Sequence, residues 1–204
     1  MSEQAQQPSG APPAKNAGTA PGKPFLYVVV CAAGIAEGVS KLITAAQERG
    51  WEVGVIATPV AMGGFFDTAA VEAQTRRPIR SAWRTPGDPR PFPPPDAVVV
   101  APATFNTLNK WAAGTADTLA LATLCETYGL GVPVAVLPCV SDTLAAHPAY
   151  QDSLVRLRAM EVRFGEPFSG EPAPDGGRPE FGWARVLDLL DTSVAPTPAH
   201  RPGP

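Results

Sequence analysis

Apolar runs alternate with amphipathic stretches along most of the chain. Phe25–Cys31 (FLYVVVC) is almost continuously apolar, as expected of a strand covered on both faces. The turn Ala32–Ala36 leads into a predicted helix at Glu37–Arg49 with Leu42, Ile43, Ala45 and Ala46 on its inward face and Gly50 at C′. Glu52–Ala57 (EVGVIA) reads as a second strand, Phe65–Gln74 as a helix and Ile79–Trp83 as a short strand. Ala97–Val100 is a buried strand followed by a small-residue turn, Ala101–Thr107. A helix opens at about Asn106 with Leu108, Trp111 and Ala112 on one face, and helix also covers Thr115–Tyr128. Pro133–Leu137 is another buried strand, and Ser141–Arg158 is helical with a break near Pro148. Met160–Phe164 is a final short strand and Phe181–Leu190 a terminal helix. Strands alternating with helices predict a single α/β domain: a three-layer, Rossmann-like (flavodoxin-like), doubly wound parallel sheet with right-handed crossovers.

Composition sets the limits of that domain. The chain has 204 residues, enough for one substantial core. Residues 1–24 and 192–204 are rich in Pro, Ala, Gly and Ser, cannot offset their ordering entropy by burial, and are predicted to be disordered tails around a domain at 25–191. Thr85–Pro95 (TPGDPRPFPPP) is predicted to be a stiff extended loop, and Gly165–Pro179 a mobile flap or long surface loop. A net charge of −3 without a basic block argues against nucleic acid or an anionic membrane as partner. No apolar run approaches a membrane span. The N-terminus lacks a secretory pattern, and Cys31, Cys125 and Cys139 have no CxxC spacing. The expectation is a cytoplasmic protein with reduced thiols. With two histidines, His147 and His200, and no Cys/His cluster, a metal site has little support.

In this fold the turns after Cys31, Ala57, Ala101 and Leu137 open on one sheet edge, where ligands bind. The first turn has Gly34 but no GxGxxG, so a dinucleotide fingerprint is absent. The turn after the Ala97 strand offers hydroxyls, an amide and helix N-terminal N–H groups, a set suited to a phosphate or the polar edge of a heteroaromatic ring. Read locally, Thr58 is a strand-end or turn hydroxyl, Thr104 or Asn106 an N-cap, Asp117 a solvated helix residue and His147 a helix-flank surface residue.

The order Pro102-Ala103-Thr104-Phe105-Asn106-Thr107, then Gly114-Thr115-Ala116-Asp117-Thr118-Leu119, resembles the homo-oligomeric flavin-containing cysteine decarboxylase family. That family's signature is Pro-Ala-Ser-Ala-Asn-Thr followed by a helix ending Gly-x-Ala/Cys-Asp-Asn-Leu. It includes phosphopantothenoylcysteine decarboxylases, peptidyl-cysteine decarboxylases of lantibiotic pathways and flavin prenyltransferases, and the resemblance covers about residues 25–165. It implies FMN rather than FAD or NAD, with Ala33, Gly34, Ile35 and Thr58 at the phosphate and Thr104, Phe105, Asn106, Thr107 and Cys139 among the flavin contacts. Ala33 offers no hydroxyl, and Phe105 replaces the family's Ala over the isoalloxazine. Asp117 is expected to brace the signature loop. The resemblance also implies a closed homo-oligomer, expected to be a trimer, with the flavin site between subunits and with Trp111, Leu108 and Phe105 as apolar partner surface.

The catalytic half of the pattern is missing. Family decarboxylases oxidise a cysteine thiol by hydride transfer to flavin, after which the thioaldehyde loses carbon dioxide. Their histidine base lies just before the signature strand, but here Arg84–Asp96 contains no histidine, and only Asp88, Asp96 and two arginines titrate there. The family motif Pro-x-Met-Asn-x-x-Met-Trp, then Asn-Pro, matches Pro138–Pro148. Ser141 stands where an Asn would hold the substrate carboxylate, and Ala145 replaces the Trp. No cysteine falls in Gly165–Pro179, where the phosphopantothenoylcysteine enzymes carry one. Three functions follow: an FMN-binding flavoprotein with lost or altered thiol oxidation, an oxidative decarboxylase of an unusual cysteine or peptide substrate, and a non-catalytic flavin-binding regulator.

Overall fold

The computed structural model describes residues 22–170 and 180–191, so both predicted disordered tails lie outside the described residues apart from Gly22–Pro24. Five parallel strands form one sheet: β1 (Phe25–Val30), β2 (Glu52–Ala57), β3 (Ala97–Ala103), β4 (Val134–Pro138) and β5 (Arg163–Phe164). Their spatial order is β2-β1-β3-β4-β5, the doubly wound order of flavodoxin-like folds, with its reversal between β1 and β3. Among the described residues seven α-helices accompany them: α1 (Val39–Glu48), α2 (Thr68–Thr75), α3 (Phe105–Ala112), α4 (Leu119–Leu130), α5 (Asp142–Ala145), α6 (Pro148–Ala159) and α7 (Arg185–Asp191).

Alternation along β1 divides the core. Leu26, Val28 and Val30 face α1, α2 and α7, together with Leu42, Ile43, Val71 and Val186. Phe25, Val29 and Cys31 face the opposite layer, with Leu108, Trp111, Leu124 and Leu157. Both faces are covered, which is why the strands read as continuous apolar runs. Gly50 follows α1 at φ 86°, the left-handed cap expected of it.

Several sequence expectations change. The predicted strand at Ile79–Trp83 is a single bridge: Arg80 alone pairs beside Ile56, donating to Val55 O and accepting from Ala57 N. The predicted helix at Thr115–Tyr128 starts later, where the Thr118 hydroxyl accepts from Leu121 N. Gly114, at φ 75°, has already ended α3. β3 runs past Val100 to Ala103, through a cis Ala101–Pro102 bond and a register shift. The break near Pro148 is real, with α5 and α6 on either side of His147.

The Pro-rich Thr85–Pro95 segment has no regular structure, as expected, yet it acts as a structural layer. It crosses the face that carries α3, α4 and α6. Phe92, 4% exposed, inserts against Phe25 and Tyr27 at centroid distances of 5.8 and 5.7 Å. The Tyr27 hydroxyl donates to Pro93 O at 2.7 Å. Burial pushes the Tyr27 phenol up, against the opposing pull of Arg80 and Arg90. The crossover ends at Asp96, whose carboxylate accepts from Phe25 N at 2.7 Å.

Candidate functional site

Backbone hydrogen bonds join the carboxyl ends of four strands into one edge. Thr58 N donates to Val30 O at 2.9 Å, Cys31 N to Pro102 O at 3.2 Å, and Cys139 N to Ala103 O at 2.8 Å. The sequence-predicted contacts in the turns after β1, β2, β3 and β4 are thereby brought together. Phe168 extends the edge, pairing with Cys139 as a bridge and accepting from Val140 N at 3.0 Å. The first residues of the expected Gly165–Pro179 flap are therefore pinned to the site; residues 171–179 lie outside the described residues.

The turn after β1 is compact. Ala36 N donates to Ala33 O at 2.9 Å and Gly38 N to Ile35 O at 3.0 Å. A Cβ on Gly34 would meet nothing within 4 Å, so the turn borders open space. Thr58 shapes its own turn, its hydroxyl accepting from Ala61 N at 3.4 Å.

Thr104 occupies the N-cap position of α3, but its side chain makes no cap hydrogen bond. Its hydroxyl instead lies 3.1 Å from that of Thr107. The first-turn N–H groups of α3 are thus left without a side-chain cap, next to two hydroxyls. Beneath them Cys31 is completely buried. Burial pushes its thiol up, opposed by hydrogen bonds from Thr107, the Thr104 N–H and the Thr104 hydroxyl. Burial likewise raises the half-buried Cys139 thiol at the neighbouring strand end. Asn106 is exposed at the start of α3.

Phe105, half-buried, stacks on Tyr150 at 6.0 Å and meets the His147 ring edge-on at 5.8 Å. His147 is the N-cap of α6, its Nδ1 accepting from Ala149 N at 3.1 Å, which agrees with the helix-flank reading. Ser141 caps α5, its hydroxyl accepting weakly from Leu144 N at 3.5 Å. Asp117 pairs with Lys110 and so braces α3 from outside.

One expectation is corrected. Trp111 and Leu108, 1% and 0% exposed, are buried in this chain's own core by packing between α3 and α6, so neither supplies partner surface. Asp96 sits at the amino-terminal edge of the sheet, bonded to the start of β1. The length of β3 separates it from the candidate site by about 20 Å, so it is not a substitute base. Sequence reasoning missed Phe168 and Trp183, which border this edge through contacts far apart in sequence and without any local signal. Among the described residues no helix is long and apolar enough to cross a membrane.

Comparison with known proteins fits this geometry. The family model described as Flavoprotein matches residues 18–194. The Coenzyme A biosynthesis bifunctional protein CoaBC of Thermococcus kodakarensis is 35% identical over 72 residues, which is 35% of this chain and 18% of that protein. The chain's match thus spans under a fifth of that relative's length. Among solved structures, the FMN binding protein AtHal3 superposes with a TM-score of 0.65 at 21% identity, covering 85% of this chain and 99% of that one. A PPC decarboxylase mutant complexed with pantothenoylaminoethenethiol gives a TM-score of 0.62 at 21% identity over 76% and 88% of the two chains. With that model matched over most of the chain, the chain belongs to the Flavoprotein family.

Proposed function

We propose that the chain binds FMN at the carboxyl edge of β1, β2, β3 and β4, as a closed homo-oligomer, and that it does not carry out the family's usual decarboxylation. The observation that carries the reading is the uncapped start of α3 beside the paired hydroxyls of Thr104 and Thr107. An N-cap threonine that leaves its own helix uncapped leaves those donors to a ligand rich in acceptors. Ala33–Ile35 and Thr58 take the phosphate, with Gly34 permitting close approach. Phe105, Asn106 and Cys139 line the ring system, and Ser141 borders the substrate. Bound FMN supplies a two-electron acceptor; the residues around it orient it and exclude water. The test is to denature the purified protein and chromatograph the released cofactor. FAD, or an apoprotein that ignores added FMN, overturns the proposal.

Val60, Met62 and Phe65 are exposed directly after Thr58, on the same edge. They offer an apolar surface in place of Trp111 and Leu108 and support association of subunits at this edge, which we take to be a trimer with the flavin between subunits. Light scattering showing a stable monomer at micromolar concentration refutes the assembly.

A second reading, oxidative decarboxylation of an unusual cysteine-ended substrate, is favoured by His147, whose ring touches Phe105 in the flavin turn. Anaerobic addition of a Cys-ending peptide library separates the two readings. Flavin bleaching with loss of carbon dioxide and two hydrogens supports the second; unchanged flavin supports the first. Either way phosphopantothenoylcysteine is not the substrate, because the loop histidine and the carboxylate-holding Asn are both absent. Loss of a general base alone costs about 10²–10⁴-fold. Complementation of a decarboxylase-deficient strain checks this, and growth rescue refutes it.

A further inference from the structure

His147 stands beside the flavin turn, and what it can do there depends on which ring nitrogen carries the proton. Its backbone N–H, its backbone C=O and its two ring nitrogens can all form hydrogen bonds. All but one of these groups are taken up inside the chain. The N–H donates to Leu144 O at 3.1 Å, at the end of α5. The C=O accepts from Tyr150 N at 2.9 Å and from Gln151 N at 3.3 Å, at the start of α6. Nδ1 accepts from Ala149 N at 3.1 Å. Nε2 is left without a hydrogen bond to any of the described residues.

A backbone N–H can only donate, so Nδ1 meets Ala149 with a lone pair. The imidazole that makes this bond is neutral, and its proton is on Nε2. In that tautomer Nε2 has no lone pair with which to accept a proton, and Nδ1 cannot accept one without uncapping α6. The ring is also held in place. It meets Phe105 edge-on at 5.8 Å, and Phe105 in turn stacks on Tyr150 at 6.0 Å with 20° between the planes. Tyr150 is 2% exposed, so the stack is anchored in the core on this side of the sheet. Pro148, in the first turn of α6, stiffens the backbone next to it. A side chain fixed by a cap bond and a ring contact does not turn freely as a surface imidazole does. It presents one N–H in a set place, as preorganised donors do. Ser141, by contrast, turns its hydroxyl back onto Leu144 N at the start of its own helix, at 3.5 Å.

We infer that His147 serves the site as a hydrogen-bond donor through Nε2, holding an unprotonated oxygen of the substrate, a carbonyl or a carboxylate, and does not act as a base. Nδ1 fixes the tautomer, Phe105 fixes the ring, and the donor stands next to the turn that opens α3. The inference rests on the proposed flavin site for the identity of that turn. It narrows the second reading above, because a decarboxylase built on this chain must find its base elsewhere.

The test is ring-nitrogen NMR of the full, isotope-labelled chain as purified. The sequence has only two histidines, so His147→Asn assigns the signals. His147 should show the Nε2–H tautomer at neutral pH, and its Nε2 signal should move when a Cys-ending tripeptide is added. The Nδ1–H tautomer, a mixture of the two, or an Nε2 signal that the peptide leaves in place overturns the proposal. Asparagine keeps an acceptor at the N-cap but is too short to carry the donor to the same point. His147→Asn should therefore leave the melting temperature essentially unchanged and weaken peptide binding about tenfold, as loss of a charge-assisted hydrogen bond does. The same peptide ended by an amide separates the two oxygens: equal weakening names a carbonyl, and weakening confined to the free acid names a carboxylate. Unchanged affinity with loss of flavin bleaching alone would make His147 a base and overturn the proposal. A chain that holds no FMN but shows the donor tautomer and the peptide-induced shift would sink the FMN reading and leave this one standing.

Discussion

Replacing Phe92 by alanine tests whether the Pro-rich crossover is a structural layer or a surface loop. Phe92 is 4% exposed and packs on Phe25 and Tyr27, over the backbone of Gly54, where a Cβ would lie 2.9 Å from its ring. A buried phenylalanine removes about 150–250 Å² from water, worth about 4–6 kcal/mol at ~25 cal/mol/Å² as an upper bound. Phe→Ala changes in cores cost about 3–5 kcal/mol. The ring here is carried by a segment without regular structure, which can settle into part of the space, so about 3 kcal/mol is expected. For a domain of this size that lowers Tm by roughly 6–12 °C. Phe92→Leu, which keeps most of the volume, should cost less than about 1.5 kcal/mol. Urea unfolding followed by circular dichroism measures both. A loss below about 1 kcal/mol for Phe92→Ala would mean that the segment does not close the core, and would refute the reasoning.

Three further outcomes are expected. Thr104→Val should weaken FMN at least about tenfold by removing a hydroxyl donor, with little change in Tm because Thr104 does not cap its helix; unchanged flavin content would make the hydroxyl pair purely structural. Asn106→Asp should also weaken FMN, because it puts a carboxylate where an amide donor is needed, and fluorescence titration with FMN checks it. The Cys31 thiol, raised by burial, should resist alkylation in the native state and react after denaturation. Because its folded pKa is raised, its stabilising effect is complete below the ordinary thiol pKa and is lost as pH rises through the folded value, so stability should fall on the alkaline side.

The strands were legible because both faces of the sheet are buried, so each central strand is an unbroken apolar run. Arg80 was misread as part of a strand because Ile79 and Trp83 frame it, but only its backbone pairs with β2. The start of α4 was readable in principle from Thr118, whose hydroxyl caps it; the helical pattern upstream masked that signal. For Trp111 the period gives the face of α3 correctly but not what that face covers, and α6 covers it within the same chain. The candidate turns were found because each follows directly on a strand. Trp183 was not found because Gly38, its partner, is far away in sequence and nothing local marks a glycine as a seat for an indole.

The route of the Pro-rich crossover constrains how this branch of the family can change. The segment leaves the ligand edge at Arg80, seats Phe92 against Phe25 and Tyr27 at the start of β1 and finishes at the opposite edge with Asp96 bound to Phe25 N. A histidine substituted at its last residue would face the wrong end of the sheet, so a single replacement at Asp96 cannot restore the family's base. Recovering it from that end of the segment would require rerouting the chain and giving up the Phe92 anchor, two costs to be met together. A proton-transfer group can instead arise by single steps in the turns after β3 and β4, where Phe105, Ser141 and His147 already stand, or on a neighbouring subunit.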